Sequence, residues 1–383
     1  MARRAHKKSR NGCLVCKRRH IKCDEGQPIC SNCSIAEREC EYGSRFMSKM
    51  TQSLFPGARA HSVPTTPVPG GVSLESPTDS PSPAPSSNEP VNMLHIELFH
   101  NLYTQLLTTF DPNRSLQWLA DDMNYLPKTP YLANELLAFS ALNLSITRPD
   151  QREYYRYHAA QLQTQALSIF KESSPRVTQE TCIPLFVFAA GLGVHMLCDT
   201  LIYRDGDFSN FLDRFVHFFR LYYGVRTIVD EASPMIQDTP LAASFNMGRD
   251  LYKFDGHLGP GCQPLLDLID DANLGNGLTK TYRQAIESLQ SCLNVIEGRG
   301  ERHIGISAVT TWPILMKMEF GELIEQRRPE ALVILAHYAC LLHRFRDFWL
   351  FGDSGAFLIQ EVTGYLGPEW DEWLAWPNQV LRS

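Results

Sequence analysis

Between residues 151 and 171 the apolar positions Tyr155, Ala159, Leu162, Ala166 and Ile169 recur at steps of four, three, four and three. That spacing lines one face of a 3.6-residue helix, and it predicts an amphipathic helix with its other face in water. Helical patterning of the same kind covers 93–110, 131–146, 208–229, 280–297 and 305–326. Pro329 suits the first turn of a further helix, where its missing N–H needs no partner. The residues that follow it, EALVILAHYACLLHRFRDFWLF, are apolar nearly all round and belong at the centre of the fold. Alternating strand patterns are scarce. Residues 93–383 are therefore expected to form one all-α domain, a helical bundle around a single core.

Two stretches depart from this pattern. The run 185–198, LFVFAAGLGVHMLC, is about 14 residues long, shorter than the roughly 20 needed to cross a bilayer. Gly191, Gly193 and His195 interrupt it, so it is expected to be a buried core helix whose glycines permit close approach of a neighbour. Residues 44–92 hold nine of the chain's 24 prolines and ten serines, with little that can form a core. Such a composition does not offset the entropy of ordering, and a disordered linker is expected there. Four Ser/Thr-Pro steps, at Thr66, Ser76, Ser80 and Ser82, suit a proline-directed kinase. No heptad run follows Tyr42, which leaves dimerisation to the C-terminal body.

Ahead of the linker lies a different signal. Cys13, Cys16, Cys23, Cys30, Cys33 and Cys40 are two copies of C-x2-C-x6-C joined by a six-residue loop. Thiolates are soft ligands that suit zinc, and a structural zinc takes four of them in a tetrahedron. Six cysteines serve two zinc ions only if two sulfurs are shared. Three disulfides are the competing reading, which requires an oxidising compartment, and the N-terminus has no apolar run for export. A four-ligand zinc module would leave two cysteines idle. The remaining cysteines, Cys182, Cys198, Cys262, Cys292 and Cys340, sit in apolar surroundings and are expected to be reduced core residues.

The formal charge of −6 hides an asymmetry. Residues 1–45 carry eleven Lys/Arg against five Asp/Glu, a net of +6, and the rest of the chain is at −12. A basic head on an acidic body points to a polyanionic partner for the head alone. Residues 1–12 form a basic arm, including ARRAHKKSR, suited to nuclear import and phosphate contact.

Residues 13–43 resemble the fungal binuclear zinc-cluster DNA-binding domain, including a proline, Pro28, in the middle loop. The resemblance implies that Cys13, Cys16, Cys23 and Cys30 hold one Zn2+ and that Cys30, Cys33, Cys40 and Cys13 hold the other, with Cys13 and Cys30 bridging. It implies a short helix carrying Lys17, Arg18, Arg19, His20 and Lys22 into the major groove, with base readout from Arg19 and His20. Arg and Lys donate to guanine O6 and N7, and their neighbours hold phosphates. The family more often has Lys or Arg where His20 stands, which leaves the half-site open. Part of the positive charge only neutralises the thiolate cluster. The expected partners are double-stranded DNA with CGG-like or sterol-response-like sites and the transcription machinery, in the nucleus. A zinc-dependent helical scaffold without specific DNA binding is the alternative.

The body resembles the C-terminal regulatory domain of fungal sterol-uptake-control-type regulators, through 131–145, 154–167, 327–359 and 365–381. This resemblance implies a regulatory helical domain responsive to a sterol or another metabolite. A pocket for such a ligand is expected around Phe345, Trp349, Phe351, Gly352, Gly355 and Phe357, which flank the break Gly352-Asp353-Ser354-Gly355, with Asp353 or Ser354 capping the next helix. No G-x-S-x-G, H-E-x-x-H, Walker loop or complete G-x-G-x-x-G occurs, and His195, His337 and His343 lie on apolar helices, so no enzymatic activity is expected.

Overall fold

A computed structural model of the chain describes residues 15–16, 19, 21–24, 30–36, 91–107, 123–204, 206–239, 241–242, 245, 253–299 and 301–382. The expected basic arm and nearly all of the expected linker lie outside them. Among the described residues, the zinc-cluster region contributes the short helix α1 (Ser31–Ile35). The body is built of helices throughout, and no strand occurs among the described residues.

The body opens with α2 (Met93–Asn101), whose N-terminus is capped by Asn92: its side chain accepts from the His95 N–H at 3.1 Å. A π-helical turn, Leu102–Leu106, extends it. Then come α3 (Pro130–Thr147) and α4 (Arg152–Ser173), joined by four residues into a hairpin. Asn101 ties α2 to α3, donating to Ser140 at 3.0 Å and Asn143 at 3.1 Å. The buried face of α4 is Tyr155, Ala159, Leu162, Ala166 and Phe170. Phe170 rather than Ile169 completes it, because Phe170 stacks on Phe188 at 4.8 Å.

Next are α5 (Cys182–Ile202) and α6 (Phe208–Ile236), which pack on each other. α5 is 21 residues long, so length alone does not bar it from a membrane, contrary to the reading of its 14-residue apolar run. Its packing places it in the body: Leu185, Phe188, Leu192, Cys198 and Leu201 are buried against α3 and α6. A methyl on Gly193 would sit 2.0 Å from the Tyr222 ring of α6, so that glycine does set a close helix approach, whereas one on Gly191 would meet only Glu135, at an ordinary 3.9 Å.

The second half comprises α7 (Gln263–Asp271), α8 (Asn276–Arg299), α9 (Arg302–Leu315), α10 (Met318–Glu325), α11 (Pro329–Arg344), α12 (Ser354–Leu366) and α13 (Asp371–Val380). The single helix expected over 305–326 is two, with Met316 and Lys317 extended between them. Pro313 lies in the last turn of α9 and has no N–H to return to the Val309 carbonyl, which weakens the turn where the helix ends. The Tyr338 hydroxyl of α11 donates to that freed carbonyl at 3.1 Å. Tyr338 also stacks on Trp312 at 4.3 Å, and the Trp312 indole N–H donates to the Ala285 carbonyl of α8 at 3.2 Å.

As its composition predicts, α11 is the central helix: every residue from Glu330 to Leu342 is buried. α8, α12 and α13 all pack on it, and one continuous core runs from Leu98 to Leu374. Cys182, Cys198, Cys262, Cys292 and Cys340 are buried and reduced, as expected, and burial pushes the Cys262 thiol up to about 12.

Candidate metal centre and nucleic-acid interface

The head is organised by sulfur. Cys16, Cys23, Cys30 and Cys33 are all buried in a segment too short to have a hydrocarbon core, and they pack on one another with Val15. The sulfurs of Cys16, Cys23 and Cys30 lie within 4.8 Å of one another, and Cys16 Sγ is 3.7 Å from Cys30 Sγ. In a tetrahedral site with Zn–S near 2.3 Å, the edge between two sulfurs is about 3.8 Å. The triplet therefore has the spacing of ligands to one zinc. Cys33 falls outside it, as a ligand of a second metal would. Cys13 and Cys40 lie outside the described residues. The donor set is all thiolate, which fits zinc and excludes hard cations such as Mg2+ and Ca2+.

Polar contacts hold the two cysteine pairs together. The Asp24 carboxylate, next to Cys23, accepts from the Ser31 N–H at 3.1 Å and from its hydroxyl at 2.6 Å, at the first turn of α1. These bonds, the hydroxyl's foremost, hold the Asp24 carboxyl below the usual carboxylate range. Asn32 donates from its side-chain amide to the Lys22 carbonyl at 2.8 Å. Asp24, Ser31 and Asn32 were not picked out from the sequence; the available signal was a polar residue directly after each of two cysteines.

Of the residues expected to meet DNA, Arg19 and Lys22 are described and both are exposed. The Arg19 N–H donates to the Val15 carbonyl at 3.1 Å, and the Ile21 N–H to the Cys16 carbonyl at 3.1 Å. Arg19 thus sits on a turn that springs from the Cys16 ligand, and Lys22 is pinned through its carbonyl while its side chain faces solvent. Lys17, Arg18 and His20 lie outside the described residues.

The six residues expected to line a ligand pocket occupy a packed joint between α11 and α12. Phe345 presses on α9, where a methyl on Gly305 would be 2.2 Å from its ring. Phe351 is fully buried. Trp349 meets Phe139 at 5.5 Å, and Phe357 lies between the Arg204 guanidinium at 4.6 Å and Phe211 at 5.4 Å. Gly352 has φ +49°, a left-handed turn beside Ile202, and Gly355 abuts the backbone of α11. Asp353 stands at the N-cap of α12 but makes no capping bond; its carboxylate pairs with Arg204, and the Ser354 hydroxyl is buried without a partner. A cavity of about 400 Å3 lies nearby, between α8, α11 and α13, and none of the six residues lines it.

The histidines of the apolar helices divide. His195 and Glu135 form a buried pair at 3.0 Å between α5 and α3. The His337 ring bonds the Val333 carbonyl at 2.9 Å, and burial pushes it down to about 4. His343 is different: its Nδ1 is buried and has no hydrogen-bond partner.

Residues 11–49 match the fungal Zn(2)-Cys(6) binuclear cluster domain. The chain is similar along nearly its whole length to a Zn(2)-C6 fungal-type transcription factor of Gibberella zeae, 26% identical over 99% of this chain and 86% of that protein. It is also similar to the Zn(2)-C6 fungal-type transcription factor afumD of Aspergillus fumigatus, 24% identical over 88% of this chain and 86% of its relative. Similarity to Sterol uptake control protein 2 of Saccharomyces cerevisiae is higher, 37%, but spans only 90 residues, 24% of this chain and 9% of that protein. The whole-body likeness thus runs to the first two proteins rather than to the sterol regulator. No solved structure matches.

Proposed function

We propose that this chain, which carries a fungal Zn(2)-Cys(6) binuclear cluster domain with two zinc ions, is a nuclear, sequence-specific regulator of transcription in which the head reads DNA and the helical body regulates. The observation that carries the reading is the buried thiol triplet of Cys16, Cys23 and Cys30 with Arg19 and Lys22 exposed directly beside it. In this reading Cys13 and Cys30 bridge the two metals. Zinc folds the head, because nothing else in the segment supplies a core. Arg19 and His20 face base edges, and Lys17, Arg18 and Lys22 hold phosphates at CGG-like half-sites. The acidic body repels the same DNA, which confines contact to the head.

The test is a gel shift of the full chain on a CGG-containing duplex and on a random duplex, with zinc and after chelation. Zinc-dependent preference for the CGG duplex is expected, with affinity falling steeply with salt. The Arg19→Ala change is expected to cost about 1–3 kcal/mol on the specific duplex and far less on the random one. Equal binding to both duplexes, or binding that survives chelation, overturns the reading in favour of a helical scaffold. Response of the body to a sterol or another metabolite rests on the resemblance of 131–145, 154–167, 327–359 and 365–381 to sterol-uptake-control-type regulators. Titration of the full chain with ergosterol, followed by melting temperature, tests the sterol branch: no shift removes it.

A further inference from the structure

The cavity between α8, α11 and α13 is lined on one side by Leu293, Leu341, Trp376 and Val380. Trp376 is fixed there, since its ring lies 5.3 Å from His337 and its edge meets Gly261. The other side is polar. Arg344 makes no ion pair or hydrogen bond among the described residues, and Arg346 donates only to the His343 carbonyl, at 3.2 Å. His343 also borders this space, and its Nδ1 is buried with no hydrogen-bond partner. A single carboxylate, the exposed Glu297, stands at the rim. Cys340 also borders the cavity, but its thiol donates to the Ala336 carbonyl and burial raises its pKa, so thiolate chemistry is not its role.

Arg344 and Arg346 form no ion pair among the described residues, so their guanidinium donors are open to charge-assisted bonds from an anion beside the apolar wall. We propose that this cleft binds an amphipathic organic carboxylate, with its aromatic or aliphatic body on Trp376 and Val380 and its carboxylate on Arg344 and Arg346. The volume, about 400 Å3, lies in the range of small-molecule sites. α11 is the central helix, so a ligand here bears on the element against which α8, α12 and α13 pack. The inference deepens the reading of the body as the regulatory part and rests on it.

The experiment is calorimetric titration of the zinc-loaded full chain with 2-naphthoate and with its neutral isostere 2-naphthamide. Saturable binding of the naphthoate is expected, tighter than the amide by about ten-fold or more, because the charge-assisted bonds are absent from the amide. The double variant Arg344→Gln/Arg346→Gln changes exposed side chains and is expected to remove that preference. The Val380→Trp change fills the cleft and is expected to abolish binding of both compounds. No binding of the naphthoate, equal binding of the two compounds, or an unchanged preference in the Gln variant overturns the proposal. A gel shift on the same preparation reports the DNA-binding reading separately, so failure of one is distinguishable from failure of the other.

Discussion

Replacing Gly355 by alanine adds one methyl group at the tightest contact between α11 and α12. Built on the existing backbone, that carbon would lie 2.3 Å from the His343 nitrogen and 2.6 Å from the Ala339 oxygen. Both are main-chain atoms of the central helix, so no side chain can rotate away. Relief requires α12 to move off α11 by about 1 Å. Such a gap forfeits roughly a quarter to a half of each dispersion contact across it. The residues that lose them are Leu358, Ile359 and Val362, all fully buried. Overpacking of this kind costs about 3 kcal/mol. The better helix propensity of alanine returns less than about 1 kcal/mol, leaving a net loss of about 2 kcal/mol. Gly364 lies on the same helix with nothing within 4 Å of its added carbon. There the same substitution is expected to stabilise by about 0.5–1 kcal/mol. Urea unfolding of the two variants, followed by helical circular dichroism, is expected to move the midpoints in opposite directions with unchanged slope. Midpoints that move together would refute the close approach of α11 and α12.

Three further outcomes follow from the same contacts. Glu135→Ala strips His195 of its buried partner and is expected to cost about 3 kcal/mol, whereas Glu135→Gln keeps an acceptor and costs less; thermal denaturation of both variants checks this. His337 is held near 4 against about 6.5 in the unfolded chain, so the unfolded state binds the proton first and stability falls as pH drops from about 6.5 to 4. That slope, measured by unfolding across this range, is expected to be shallower in His337→Gln, whose amide can bond the Val333 carbonyl without titrating. On the proposed bridging by Cys13 and Cys30, Cys30→Ser is expected to bring zinc content well below one per chain and Cys16→Ser to leave between one and two; equal losses by elemental analysis would count against Cys30 as a bridge.

The helices were legible where their periodicity was strong. α4 and α11 declare themselves through the spacing of Tyr155, Ala159, Leu162 and Ala166 and through the apolar run after Pro329. The break between α9 and α10 was less legible, because Pro313 sits inside a pattern that stays helical on both sides. α5 outran its apolar core by a turn at each end, since local hydropathy does not see the neighbours that bury Thr200 and Leu201.

The metal centre is the part of this protein that the sequence determined by itself. Zinc ligation is short-ranged, and Cys16, Cys23, Cys30 and Cys33 must meet within a few residues of chain, so their type and spacing carry the chemistry. Tertiary structure alone decided the rest. Gly191 and Gly193, or Gly355 and Gly364, are alike as residues and differ only in what faces them. Glu135 and His195 are 60 residues apart, and nothing local to either foretells a buried pair. The cleft of His343, Arg344 and Trp376 exists because α8, α11 and α13 meet there, while the aromatic residues around Gly352, which read as a pocket, pack on α3, α6 and α9 and fill their own space. Ligand spacing is a local property of the chain; whether a side chain fills space or borders it depends on helices distant in sequence.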